Sequence, residues 1–212
     1  MVGFWDYTVI LTYISVAASA MGIYLSVNEE FFYAIICLLV SGLCDMFDGM
    51  VARTKKNRTD DEKSFGIQLD SLADVVCFGV FPATFGYMLC KDTVFAIPSI
   101  AVGAIFILCA IIRLAYFNVT EESRQAQTNE KRKHYEGLPV TSIALVSPVL
   151  YCFKGLLGDG FPLAYIILLF LVAVAFVIKF KVKKLGNAGN MVLAVLGILI
   201  FTILLVLKIF GV

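Results

Sequence analysis

Residues 31–53 read FFYAIICLLVSGLCDMFDGMVAR, an apolar run that ends in two aspartates, a glycine and an arginine. A helix needs roughly 20 apolar residues to cross a hydrocarbon core about 30 Å thick, and this run is long enough. Its last third, however, carries charge where a membrane makes charge costly. The segment therefore predicts a membrane-spanning helix whose far end has work to do.

The rest of the chain repeats the first half of that pattern. The 212 residues are 60% hydrophobic and 16% charged, whereas soluble domains carry about 25% charged residues. The same length rule gives seven candidate spans, at about 8–27, 31–53, 65–90, 93–119, 138–157, 161–180 and 189–210. The runs are too long for tilted strands and do not alternate, which excludes a β-barrel. The expected fold is an all-α polytopic membrane protein, with residues 1–212 forming one integral membrane domain.

Net charge is +1, so no bulk electrostatic argument points to nucleic acid, but the placement of charge is informative. Of 17 Lys and Arg, all but Lys91, Lys154 and Lys208 lie at or between spans 2 and 3, 4 and 5, or 6 and 7. The positive-inside rule then places those connections and the N-terminus in the cytoplasm. Seven spans leave the C-terminus outside. The first seven residues carry no Lys or Arg, unlike the basic start of a secretory signal.

The six cysteines are scattered without Cys-x-x-Cys or Cys/His spacing and read as small apolar fillers. His134 is the only histidine, so one chain assembles neither a Ser–His–Asp triad nor a histidine metal site. No repeat of 20–50 residues is visible, and the long polar segment 120–137 reads as a cytoplasmic loop.

On the helix of span 2, Asp45, Asp48, Gly49, Ala52 and Arg53 stand at i, i+3, i+4, i+7 and i+8, one continuous face. In span 3, Gly66, Asp70 and Asp74 stand at i, i+4 and i+8. The two spans are antiparallel neighbours, so the spacing aims four carboxylates at one place near the cytoplasmic membrane surface. Ionised carboxylates so close repel one another unless a cation intervenes. Hard divalent ions such as Mg²⁺ or Mn²⁺ take oxygen ligands and share their shells with substrate phosphate. Two such ions can clamp a phosphoryl transfer. Gly49, Ala52 and Gly66 lack bulk and would let a nucleotide or pyrophosphate approach the helix backbones, with Arg53 adding a charge-assisted contact. The plainer reading is that acidic residues near helix ends snorkel and small residues pack helices; four aspartates on two facing stripes are poorly served by it.

The pattern D45-x-x-D48-G49-x-x-A52-R53, then Gly66-x-x-x-Asp70-x-x-x-Asp74, resembles the signature of the CDP-alcohol phosphatidyltransferases. The resemblance implies a six-helix membrane core, here with at least one extra C-terminal helix, a homodimer, and a divalent metal, Mg²⁺ or Mn²⁺, as two ions. It implies that Asp45, Asp48 and Asp70 ligate metal and that Asp74 shares a second ion. It also implies that Gly49, Ala52 and Arg53 line the cytidine-diphosphate site, and that Asp74 is the base that deprotonates the attacking alcohol. Twelve residues separate Arg53 from Gly66, more than is usual in the family. Thr59, Lys63 and Ser64 are therefore all candidates to meet the substrate phosphates. Thr12 and Ser15 are a loose match to the polar pattern of the family's first helix.

FGIQLDSLADVVCFGVFPA at 65–83, RLAYFNV at 113–119 and YEGLPVTS at 135–142 are similar to the phosphatidylserine synthase branch. This implies CDP-lipid and L-serine as substrates, within a bilayer of membrane lipids. Arg113 is the candidate for the serine carboxylate, with Asn118 assisting and Gln68 near the aspartates. Glycerol phosphate, inositol phosphate or another small alcohol stays open as acceptor. A divalent-cation transporter and a non-catalytic lipid-binding protein are the rival classes. Neither has a use for Gly49, Ala52 and Arg53 on the aspartate face.

Overall fold

The computed structural model describes residues 3–52, 54–55, 57–127, 134–183 and 187–210. Arg53, predicted to contact substrate, lies outside the described residues. Among the described residues, seven helices make the bundle: α1 (Ile10–Val27), α2 (Phe31–Ala52), α3 (Asp60–Cys90), α4 (Ala96–Gln127), α5 (Ile143–Cys152), α6 (Phe161–Val177) and α7 (Asn187–Ile209). Six membrane-length apolar helices are present: Tyr7–Val27, Phe31–Ala52, Asp60–Cys90, Ala96–Ser123, Lys154–Val177 and Met191–Ile209. The all-α polytopic fold is the one expected.

The fifth span differs from expectation. Its apolar helix, Val140–Cys152, is short and carries Pro148 inside it. The chain breaks at Phe153, and a helical turn at Lys154–Leu157 leads on toward α6. A proline gives up one backbone hydrogen bond and crowds the preceding turn, so this segment does not extend as one long rod.

Helix α3 begins earlier than its apolar run. Thr59 Oγ1 accepts from the Glu62 amide at 3.2 Å while Glu62 Oε2 accepts from the Thr59 amide at 2.8 Å, a reciprocal cap. Asp60, Asp61 and Glu62 occupy the first turn, where the helix dipole favours acids. Just past Asp74, residues Val75–Val80 form a wider π turn, in which the Phe81 amide reaches back to the Val76 carbonyl. Pro82 follows at once, and a proline that cannot donate to the preceding turn is a ready cause for it.

The core is aromatic and lies between α2, α3, α4 and α6. Phe78, Phe81, Phe85, Phe106 and Tyr165 are fully buried, and the Phe85 and Tyr165 rings stand 5.1 Å apart. Helix α2 meets α5 so closely that a Cβ on Gly42 would lie 2.5 Å from the Ala144 side chain. Two short strands, β1 (His134–Glu136) and β2 (Lys181–Lys183), pair antiparallel and tie the α4–α5 connection to the one before α7. Gly137, at φ +77°, turns the chain out of β1, a conformation that favours glycine.

Candidate active site

Asp45 and Asp48 sit one turn apart on α2, and Asp70 and Asp74 one turn apart on α3. Carboxylate oxygens of Asp45, Asp70 and Asp74 all lie within 4.8 Å of one another. Asp74 is buried, at 8% exposure, whereas Asp45 and Asp70 are half-buried. Asp48 stands on the outer side of this triad, where Thr12 Oγ1 donates to its Oδ2 at 3.4 Å. Among the described residues, none of the ion pairs involves any of the four. A cluster of oxygen donors with no thiolate or imidazole suits Mg²⁺ or Mn²⁺ rather than zinc. The donor set therefore fits the metal expected from the sequence.

A cavity of about 140 Å³ opens beside the aspartates. Asp48, Gly49 and Ala52 line it from α2, Gly66 and Asp70 from α3, and Thr12 from α1. Nothing lies within 4 Å of where a Cβ on Gly49 would stand, so the missing side chain leaves open cavity. Gly66 is different. A Cβ there would lie 2.6 Å from Arg58 Nη2, so the space it leaves is filled by an arginine.

The other expected residues fall into distinct groups. Lys63 lines the cavity while its Nζ pairs with Asp60 at 2.9 Å. Thr59 is spent on the cap of α3, and Ser64 and Gln68 are exposed outside the cavity wall. Ser15 belongs to a buried hydroxyl cluster, 2.6 Å from Ser41 Oγ, which in turn is 2.9 Å from Ser19 Oγ. Arg113 is buried, donates from Nε to the Leu138 carbonyl at 3.2 Å, and lies against the Phe117 ring. Asn118 Nδ2 donates to Ser71 Oγ at 2.9 Å, which joins α4 to the aspartate helix.

Residues 3–9, 54–55 and 57–58 complete the site, and sequence reasoning missed their part in it. Thr8, Val9 and Arg58 line the cavity beside the expected residues. Lys55 Nζ bridges Asp6 and Glu62, each at 2.8 Å, and Tyr7 Oη lies 3.1 Å from Thr54 Oγ1. Lys55, together with the Thr8 hydroxyl and amide, holds the Asp6 carboxyl down at about 2. The cap signal Thr59-x-x-Glu62 was present in the sequence. Read as a helix start, it would have set Arg58 against the first turns of the aspartate helix.

Comparison with known proteins gives a family match. The family model described as CDP-alcohol phosphatidyltransferase matches residues 7–211. A CDP-diacylglycerol–serine O-phosphatidyltransferase of Saccharomyces cerevisiae is 41% identical over 128 residues, 58% of this chain and 44% of the relative. An archaetidylserine synthase of Methanothermobacter thermautotrophicus is 34% identical over 142 residues, 67% of this chain and 56% of the relative. A CDP-diacylglycerol–serine O-phosphatidyltransferase of Methanocaldococcus jannaschii is 32% identical over 177 residues, 80% of this chain and 77% of the relative. For the first two, the chain spans only about half the length of the relative it matches.

Proposed function

The chain belongs to the CDP-alcohol phosphatidyltransferase family, and on that premise we propose that it transfers a phosphatidyl group, or its ether-lipid equivalent, from a CDP-lipid to the hydroxyl of L-serine, releasing CMP. The observation that carries this reading is the convergence of Asp45, Asp70 and Asp74, with Asp48 beside them and no ion pair to any of the four among the described residues, next to a cavity that Gly49 holds open. The similarity to serine transferases supports the choice of acceptor.

Asp74 is the general base. It is the most buried of the carboxylates and stands within the triad, where it takes the proton from the serine hydroxyl as that oxygen bonds to phosphorus. The bond from phosphorus to the CMP oxygen breaks in the same displacement. Asp45, Asp48 and Asp70 hold Mg²⁺ or Mn²⁺, which when bound neutralises the pyrophosphate and the leaving group. Gly49 and Ala52 give the nucleotide access to the α2 backbone, and Thr12 fixes the Asp48 carboxylate. Burial of Asp74 keeps bulk water, a competing nucleophile, away from the reacting phosphorus.

The aspartates face the cytoplasm. This orientation rests on the basic connections of the sequence: residues 54–55 and 57–63, β1 and β2 all lie at the aspartate end of the bundle, the side that the positive-inside rule assigns to the cytoplasm.

The test is CMP release by purified protein given CDP-lipid, Mg²⁺ or Mn²⁺, and one of L-serine, glycerol phosphate or inositol phosphate. Expected is release with serine alone. Release with another alcohol would keep the family and overturn the acceptor. Metal flux through liposomes without any nucleotide requirement would favour a transporter.

A further inference from the structure

Gly66 lines the cavity, and an arginine stands beside it. Arg58 lies over that glycine, with Nη2 2.6 Å from the position a Cβ would take. Real Cβ atoms do not approach so closely, so a side chain at 66 would displace the end of the arginine from this position. The arginine is held by one bond of its own and by the ties of its loop. Its Nη2 donates to the Glu62 carbonyl at 3.0 Å, at the start of α3. The loop that carries it is tied by Lys55 to both Asp6 and Glu62, and Thr59 next to it closes the α3 cap.

Arg58 still has capacity to spare. Its Nε is buried and has no hydrogen-bond partner among the described residues. The nearest acid in sequence, Glu62, has its carboxylate taken by Lys55 and by the cap, and gives Arg58 only its main-chain carbonyl. None of the ion pairs among the described residues joins Arg58 to Asp48 or Asp70, although all three line the same cavity. Lys63, the other cation of that wall, is half exposed and already paired with Asp60. The cavity thus has carboxylates on one side and, on the other, a planar cation that no ion pair among the described residues neutralises. A guanidinium suits phosphate oxygens because its donors form a rigid fork matched to them.

We infer that Arg58 is a substrate-binding residue that contacts the diphosphate of the CDP-lipid, and that Gly66 is small in order to seat Arg58 rather than to admit the nucleotide directly. The inference rests on the proposed transfer, since it takes the diphosphate to be the anion that enters the cavity. Arg58 acts on affinity for the nucleotide and leaves the serine pocket alone.

The test is a double-mutant cycle read by CDP binding to the purified, detergent-solubilised protein with Mn²⁺ present, alongside KM for CDP-lipid and for serine. Arg58→Ala is expected to weaken CDP binding about tenfold or more, as loss of a charged hydrogen bond does, with the KM for serine unchanged. Gly66→Ala should weaken CDP binding similarly in the parent protein, yet add little in the Arg58→Ala background. Arg58→Lys, which keeps charge but not the fork, should recover part of the affinity, and thermal melts report whether each variant is folded. CDP affinity within twofold of the parent in folded Arg58→Ala would overturn the inference while leaving the transferase reading intact. So would a Gly66→Ala loss that is undiminished without Arg58, because Gly66 would then serve the nucleotide itself. A parent protein that neither binds CDP nor releases CMP would overturn both.

Discussion

The aspartate cluster and the opposite end of the bundle treat charge in opposite ways. At one end, Lys91 pairs with Glu29, Lys154 lies over the Phe31 and Tyr151 rings at 5.7 and 5.3 Å, and Lys208 covers the Phe32 and Tyr33 rings at 4.4 and 3.7 Å. Each of these lysines has an opposite charge or an aromatic face beside it. At the other end, Asp45, Asp70 and Asp74 crowd together with Asp48 beside them, and the ion pairs of the neighbouring loop, Lys55 with Asp6 and Glu62 and Lys63 with Asp60, do not reach them. Charges that a fold needs for anchoring are given partners within the fold. Charges held together without partners are spent on something that arrives from outside.

The largest expected effect lies in the unpartnered cluster. Asp74→Asn should lower kcat for CMP release by about 10²- to 10⁴-fold, the usual worth of a positioned base. The same change removes one of several repelling charges, so in EDTA its melting temperature should equal or exceed that of the parent. A variant less stable than the parent would mean that Asp74 serves the fold.

Removing metal should act next most strongly, and on one end only. Ligand present at 100 times its dissociation constant stabilises by about 2.7 kcal/mol. Saturating Mn²⁺ is therefore expected to raise the melting temperature of the parent protein, with Asp70→Asn losing most of the gain. Differential scanning with and without EDTA checks this. An equal gain in Asp70→Asn would place the ion elsewhere.

Gly49→Ala sharpens the contrast between space and stability. An alanine at a helix-interior glycine gains up to about 1 kcal/mol, and here its methyl would meet no protein atom. The variant should melt at or above the parent temperature while its KM for CDP-lipid rises severalfold, as read in the CMP assay.

At the far end the balance reverses. Lys208→Met should leave kcat unchanged and cost about 0.5–2 kcal/mol of stability through the lost aromatic contacts. A fall in activity without a fall in stability would break the division between the two ends.

The smallest effect belongs to the tie between residues 3–9 and the loop. The Asp6 carboxyl is held at about 2, below its ordinary 3.8, chiefly by Lys55. A depressed carboxyl stabilises the folded state above its unfolded value, so that contribution is full above about pH 4 and is lost as pH falls toward 2. Melting curves of the parent and Asp6→Asn should therefore differ at pH 5 and converge near pH 2. A gap that stayed constant over that range would remove the ion pair from the explanation.

Much of this was legible in the sequence, for reasons that differ by element. The spans were legible because each had to be apolar along its whole length, and the aspartate face because i, i+4 and i+8 share one side of any helix. The short fifth helix was not, since apolar content through 138–157 says nothing of the break at Phe153. Arg58 was hidden for another reason. It lies in a loop, where no periodicity assigns a face, and that loop is tied by Lys55 to Asp6, 49 residues away. Ser15 looked like Thr12 in sequence, yet one lies within a hydroxyl cluster and the other on Asp48. Only the packing of α1 on α2 separates them.

The contrast between the two ends is tested most directly by Mn²⁺ binding to the purified protein, followed by electron paramagnetic resonance as CDP is added. Loss of the free-ion signal on binding, a change in the bound signal with CDP, and abolition of both by Asp70→Asn but not by Lys208→Met are the expected results. Bound Mn²⁺ that ignores CDP, or that survives Asp70→Asn, would contradict the assignment of the aspartate cluster as the site where metal and diphosphate meet.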